Sequence, residues 1–582
     1  LRRSRLTALR VPSSPNDMPP PRSGYRLASP FEATSIPPDR TPHPATPQSA
    51  VNFPLPPTPP EAPQTLGALF AAPILRWPSL PPDPLAGTIL EFQAGRARGE
   101  WTAASVTREA IDRSYAWNRR LHSTDLLSDR ALADARASDL RARRGALRGP
   151  LDGVPLFAKS IYDVAGLQTT ASSAAWAELF PDPVRHDALE VARLRAAGAT
   201  ILGKTAADDF AYHGNGTASL SGQVLNPYDA AGQKTPGGSS AGSAVSVACG
   251  IAFAGLGTDD GGSNRIPAQF TGVVGMKPTF GLVPRSGVIP TWPYLDTHGP
   301  LARFVADAAL MLDAIAGPDA SDGLALTAPW KRGSLGMLDP HALHGARLGL
   351  VEFHVPRDQM PAASVAIFDR AVADLRAAGA VIEPFAPEVT RATVRQRFTA
   401  SATARKDARP DPNSPAATAN ALLRYFQRQG SANPEADVRK GLAAFQKFYD
   451  VLPKEWEAMA KLMVQPYETD PTGVSFARSR AEVTAQLAES FRQQRIEAMV
   501  YPTMPFPAPR AVDSWPDIRT TLGYGNWLGL PEVSVPSGLG SDGMPGGNLS
   551  FVGLPGSDAR LLALAHSYEQ ASKRFVAPKT LG

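Results

Sequence analysis

Residues 235–278 read TPGGSSAGSAVSVACGIAFAGLGTDDGGSNRIPAQFTGVVGMKP, and this stretch decides both fold class and chemistry. Two glycine-serine loops, Gly237-Gly238-Ser239-Ser240 and Gly261-Gly262-Ser263, flank a small-residue segment predicted as a helix over 241–249 and a strand over 251–256. Such a helix advances roughly 14 Å at 1.5 Å per residue. Six strand residues span about 20 Å. The comparable lengths let an antiparallel return carry Ser263 back beside Ser239, so two serines 24 positions apart can share one site. Gly261-Gly262 ahead of Ser263 lets successive backbone N–H groups curl into an anion-binding nest, because glycine adopts positive φ without steric penalty.

Outward from this core, residues 150–320 alternate short apolar runs with helical patterns and glycine-rich turns, the pattern of an α/β sheet domain. Helices are predicted over 105–118 and 128–143, and over 188–197 with Asp187 and Glu190 as a capping box. Residues 199–202 read as a short buried strand. Residues 330–480 carry long amphipathic stretches, 436–449 and 454–463 among them, around a polar loop at 404–420, and read as a helical insertion. Strand patterns return at 498–501 and 532–535, and a helix over 559–571 closes the chain. Residues 1–84 hold 22 of the 58 prolines and read as a disordered or polyproline-like extension ahead of a single large domain at 85–578. Their Arg-rich, acid-poor start lacks the apolar segment of a secretory signal and is read as translation begun too far upstream.

Composition narrows the function classes. Hydrophobic residues make up 43% and charged residues 19%, a globular profile. The formal charge is +5, of which residues 1–84 supply +3 through eight Arg against five acids, so the remainder is nearly neutral. It lacks the clustered Lys/Arg surface of a nucleic-acid binder. No stretch approaches about 18 uninterrupted apolar residues, so no membrane span is expected. The one cysteine, Cys249, cannot form an intrachain disulfide or a cysteine-based metal site; it reads as a small buried hydrophobe in a cytoplasmic protein.

Two motifs mislead. Gly198-Ala199-Thr200-Ile201-Leu202-Gly203-Lys204-Thr205 fits a phosphate-binding loop, but a helix precedes it and its middle is an apolar strand, the reverse of what phosphate binding needs. Gly238-Ser239-Ser240-Ala241-Gly242 fits a nucleophile elbow, which would make the chain an α/β-hydrolase esterase attacking through Ser240. The residues ahead of it, 233–237, read as a turn, not the buried strand an elbow requires.

The stretch 235–278 closely resembles the amidase signature family, with its GGSS-(A/G)-GS, GTD-x-GGS-x-R-x-PA and G-x-KP elements. The likeness extends to Gly153–Lys159, Ala197–Thr205, Asn226-Pro227-Tyr228, Asp296–Pro300, Tyr501-Pro502-Thr503 and Gly529-Leu530-Pro531. It implies a mixed central β-sheet surrounded by helices. It also implies hydrolysis of a carboxamide to acid plus ammonia or amine, without metal or organic cofactor, on a small-molecule amide. By resemblance, Ser263 forms the acyl-enzyme, Ser239 relays its proton from a cis peptide bond, and Lys159 is the base. Backbone N–H groups of Asp260, Gly261, Gly262 and Ser263 would bind the oxyanion. The likeness also admits a component of an amidotransferase that passes ammonia to a partner. Asp260, Ser160 and Asn264 depart from the residues usual in the family, Thr, Asp and Ile respectively. Tyr212, His213, Trp292, Tyr294, Tyr524 and Trp527 fall near segments that line the family's pocket.

Overall fold

In the computed structural model, residues 80–579 are described apart from 326–329, 331–332, 352–356, 391–392, 395–414, 446–470 and 514–521. Strands β1 (Thr124–Leu127), β2 (Pro155–Lys159), β3 (Thr200–Thr205), β6 (Ala254–Thr258), β7 (Val274–Lys277), β8 (His298–Ala302), β9 (Arg347–Leu350), β10 (Val381–Pro384), β11 (Ala498–Pro502), β12 (Glu532–Pro536) and β13 (Asn548–Val552) form one sheet. Two further short strands, β4 (Thr217–Ala218) and β5 (Gly222–Gln223), pair with each other. The sheet order is β1-β3-β2-β6-β8-β7-β12-β13-β11-β9-β10. β2 runs parallel to β3 and β6, and β9 runs parallel to β10 and β11. The centre, from β6 through β8, β7, β12 and β13 to β11, is antiparallel. This is the mixed sheet flanked by helices that the sequence implies.

The burial of β2, β3, β6, β7, β8, β11, β12 and β13 at every position explains their apolar runs, since strands covered on both faces lose the in-out alternation. Between the two serine loops the helix Ala241–Ala248 is buried throughout, and its Gly, Ala and Ser side chains let it sit close against the sheet. That close fit fixes both of its ends.

Several expectations shift. Residues 330–480 are not helical alone: β9 and β10 lie within them, joined by the helix Ala362–Ala377 into a parallel unit on the sheet edge. Both strands are only partly buried and mix polar with apolar residues, so no continuous apolar run reveals them. The polar loop placed at 404–420 gives way to a helix from Pro415, its earlier part and the helix at 454–463 lying outside the described residues. The capping box at Asp187 and Glu190 does not form. Asp187 instead accepts the Ala165 N–H at 2.8 Å and pairs with Arg195, while Glu190 pairs with His298 at 2.6 Å. Other hydrogen-bond partners take both carboxylates from the helix end.

Residues 1–79 of the expected extension lie outside the described residues. Residues 80–84, also assigned to it, carry structure: Asp83 accepts the Leu85 N–H and pairs with Arg113 at 2.9 Å, and Leu85 is buried. Among the described residues no helix is long and apolar enough to cross a membrane.

Candidate active site

β2 ends on Lys159, and β6 leads into the loop that carries Ser263. Because β2 and β6 are parallel neighbours, with Ala158 opposite Leu256, both chain ends emerge on the same side of the sheet. Lys159 Nζ lies 2.7 Å from Ser239 Oγ and 2.8 Å from Thr258 Oγ1, with no exposure. Ser239 is likewise buried, its carbonyl accepting the Asp208 N–H. The Ser240 N–H donates to the Ser263 carbonyl at 3.1 Å, which holds the two serine loops together. Ser263 keeps 8% exposure against none for Lys159 and Ser239, so it alone of the three touches the outside.

The Gly238–Ser239 peptide bond is cis. A Cβ at Gly238 would fall 2.0 Å from Asp208 Oδ2, so only glycine fits there. Asp208 in turn accepts the N–H groups of Asn215, Gly216 and Thr217, fastening the segment 215–217 over the loop. Gly262 has φ +123°, and a Cβ would meet Leu522 at 2.6 Å. This is the turn for which the nest requires glycine.

One expected donor is otherwise engaged. The Gly262 N–H donates to Asp259 Oδ1 at 2.7 Å, so it points into the loop and not at a ligand. Among the described residues, the N–H groups of Asp260, Gly261 and Ser263 have no acceptor within the protein. That leaves three backbone N–H groups of this loop without a protein acceptor, while the Gly262 N–H is spent inside the loop.

Burial pushes the Lys159 ammonium down to about 8, against the opposing pull of Asp260, Asp208, Asp259 and Asp296. A lysine in that range keeps a neutral minority near physiological pH, and that neutral form can accept a proton. Burial alone would raise the Asp259 carboxyl, but the charge and hydrogen bonds of Arg265, helped by Asn526, hold it well below the usual carboxylate range. Arg265 is itself buried and spends its five N–H donors on Asp259 twice, Glu532, Leu522 O and Asn526.

The elbow reading does not survive. Ser240 is fully buried, and its Oγ is held by Asn264 Oδ1 at 3.0 Å and by the Thr258 backbone. A turn, not a strand, precedes it. The departures at 264 and 160 find structural work. Asn264 ties Ser240 to the carbonyls of Met276 and Gly299, and Ser160 bonds Ser172, which donates to Asp125. In the phosphate-loop lookalike, Lys204 lies in strand β3 and its Nζ is held by Gln168 O and Thr169 Oγ1.

Of the six pocket aromatics, Tyr294 and Tyr524 are buried in the core, the latter donating to Val389 O. Tyr212 and Trp292 meet edge to face at 5.7 Å and stay partly exposed, as does Trp527 against Phe476, and His213 is exposed. Sequence reasoning missed Thr258, Asp208, Asn526 and Glu532. Thr258 and Asp259 stand inside the quoted motif, whereas Asp208, Asn526 and Glu532 sit far from it in sequence and carry no local signal.

A family model described as Amidase matches residues 105–562. The A subunit of the glutamyl-tRNA(Gln) amidotransferase of Myxococcus xanthus (strain DK1622) is 33% identical over 500 residues, covering 84% of this chain and 98% of that protein. Its counterpart from Symbiobacterium thermophilum is 32% identical over 502 residues, covering 83% and 96%. Among solved structures, the native peptide amidase from Stenotrophomonas maltophilia superposes with a TM-score of 0.71 at 31% identity, covering 86% of this chain and 99% of that one. A match over most of the chain, carried by relatives and structures spanning nearly their whole lengths, places this protein in the amidase family.

Proposed function

We propose that the protein hydrolyses a linear, non-peptide carboxamide to a carboxylic acid and ammonia or an amine through an acyl-enzyme on Ser263. The observation that carries this reading is the buried Lys159 Nζ at 2.7 Å from Ser239 Oγ, next to the more exposed Ser263. Ser263 Oγ attacks the amide carbon and passes its proton to Ser239, whose own proton moves to neutral Lys159. The N–H groups of Asp260, Gly261 and Ser263 stabilise the oxyanion. Returning the proton by the same route releases the amine, and water then cleaves the ester. No metal or organic cofactor takes part, and the enzyme acts in the cytoplasm.

An activated fluorophosphonate is expected to form one covalent adduct, on Ser263, as read by peptide mapping. Label on Ser240 would overturn the assignment. The base predicts a second result. Lys159 must be neutral to accept a proton, so single-turnover acylation should rise with pH and reach half its maximum near 8, where burial leaves its ammonium. A profile flat across that range would mean that Lys159 is not the base.

A second reading, a component of an amidotransferase that delivers ammonia to a partner, is favoured by the relatives of that name covering over 80% of the chain. Assaying the purified protein alone against aryl, acyl and peptide C-terminal amides separates the two. Turnover without a partner supports the stand-alone amidase.

A further inference from the structure

We propose that Asp260 is a positioning residue, held in its acid form with its O–H donated to the carboxylate of Asp296, and that this clamp aims the first N–H of the oxyanion loop. The proposal rests on the amide-hydrolysis reading of the same site. Asp260 is buried, and among the described residues neither of its oxygens meets an N–H or O–H donor. The group within hydrogen-bonding reach is the carboxyl of Asp296. Two carboxyls can satisfy each other only by sharing a proton.

Which one carries it follows from their other contacts. Asp296 already accepts the Trp292 N–H at 2.9 Å and the Thr291 N–H at 3.3 Å, which stabilise its charge. Asp260 has no such support, so it is the acid and Asp296 the acceptor. The other charges facing Asp260 are Lys159, which favours its ionisation, and Asp259, which opposes it. Burial and the Asp296 carboxyl together push Asp260 well above the usual carboxylate range. Asp259 donates its own N–H to Thr297 O at 2.7 Å, so the Asp260 O–H would be a second fastening of the loop at 259–260 to the 291–297 turn. A charged Asp260 would lose one of those fastenings and put negative charge next to the developing oxyanion. Held neutral, it lets the site tolerate an acid where Thr is usual.

Infrared difference spectra of the resting enzyme, wild type minus Asp260→Asn at neutral pH, test the proton directly. A buried carboxylic-acid carbonyl band that shifts in D2O is expected. Its absence overturns the proposal. Positioning is tested by comparing side chains, since Asn retains an N–H donor toward Asp296 and Leu does not. Asp260→Leu should lower kcat on the order of 10²-fold, the scale of losing one oxyanion donor, with KM little changed, and Asp260→Asn should recover most of that loss. Equal losses in the two variants overturn the positioning role. Should no amide be turned over, the amidase reading fails by itself, while the infrared band still decides the clamp; should Asp260→Leu fail to fold, the Asn spectrum decides it.

Discussion

Replacing Lys159 with Ala slows acylation by an amide on the order of 10²–10⁴-fold, the usual contribution of a positioned proton transfer, and slows a matched activated ester less, by a further factor of about 10 to 100. The asymmetry comes from the leaving groups. An amine must be protonated before it departs, whereas an activated ester releases a stable anion unaided. Among the described residues Lys159 Nζ bonds Ser239 and Thr258. On the proposed mechanism its proton passes through Ser239, so it would work twice on amides and once on such esters. The backbone donors of the nest survive the substitution, and residual ester acylation measures them. Single-turnover rates are needed, because slow deacylation conceals differences in acylation. Equal losses on both substrates would remove the proton-return step and leave Lys159 as activator alone.

The largest effect on stability is expected at Arg265. Substituting Met leaves the Asp259 and Glu532 carboxylates buried without their cation, and breaking a buried ion pair from one side costs about 3–5 kcal/mol. Asn526 and Tyr501 would still reach these carboxylates, but neither brings positive charge. The measurement is urea unfolding of wild type and Arg265→Met, and a loss under about 1 kcal/mol would show that the network relaxes around the gap. Activity should fall with stability, since Asp259 holds Gly262 and Asn264 on either side of Ser263. Asp259 stays ionised wherever Lys159 titrates, because Arg265 keeps its carboxyl far below that range. Stability drawn from Asp259 is therefore full above the ordinary carboxylate range and is lost only in strong acid. A pH limb near 8 does not arise from Asp259.

The site was legible in sequence where its chemistry is local. Gly237–Ser240 and Gly261–Ser263 announce themselves because turns of positive φ and small side chains leave few other residues possible. Lys159 is legible through the apolar run of β2 that ends on it. What stayed hidden depends on contacts across hundreds of residues. Nothing near Glu532 tells that it neutralises Arg265, and Gly262 looks like an oxyanion donor until Asp259 is seen to occupy its N–H. Strands β9 and β10, at one side of the sheet, escaped because they are only partly buried and mix polar with apolar residues, so neither gives the continuous apolar run by which 498–501 was read. The capping box at Asp187 and Glu190 misled for the opposite reason: a local pattern was overridden by partners outside the first helical turn, Ala165 and Arg195 for Asp187 and His298 for Glu190.

The order of strands in the sheet also bears on synthesis. β7 and β12 meet in the middle of the sheet, β7 at the end of the 235–278 stretch and β12 near the chain's end, and Arg265 reaches from one side of that meeting to Glu532 on the other. On the ribosome, Lys159, Ser239 and Ser263 all emerge while Glu532 and Asn526 are still untranslated. At about 5–20 residues per second, roughly 13 seconds to nearly a minute separate Ser263 from the residues that clamp its loop. The nascent chain thus carries the three proposed reactive side chains through nearly half of translation without the brace that holds Asp259 in place. On the proposed mechanism, the site is completed only as the final strands close the sheet.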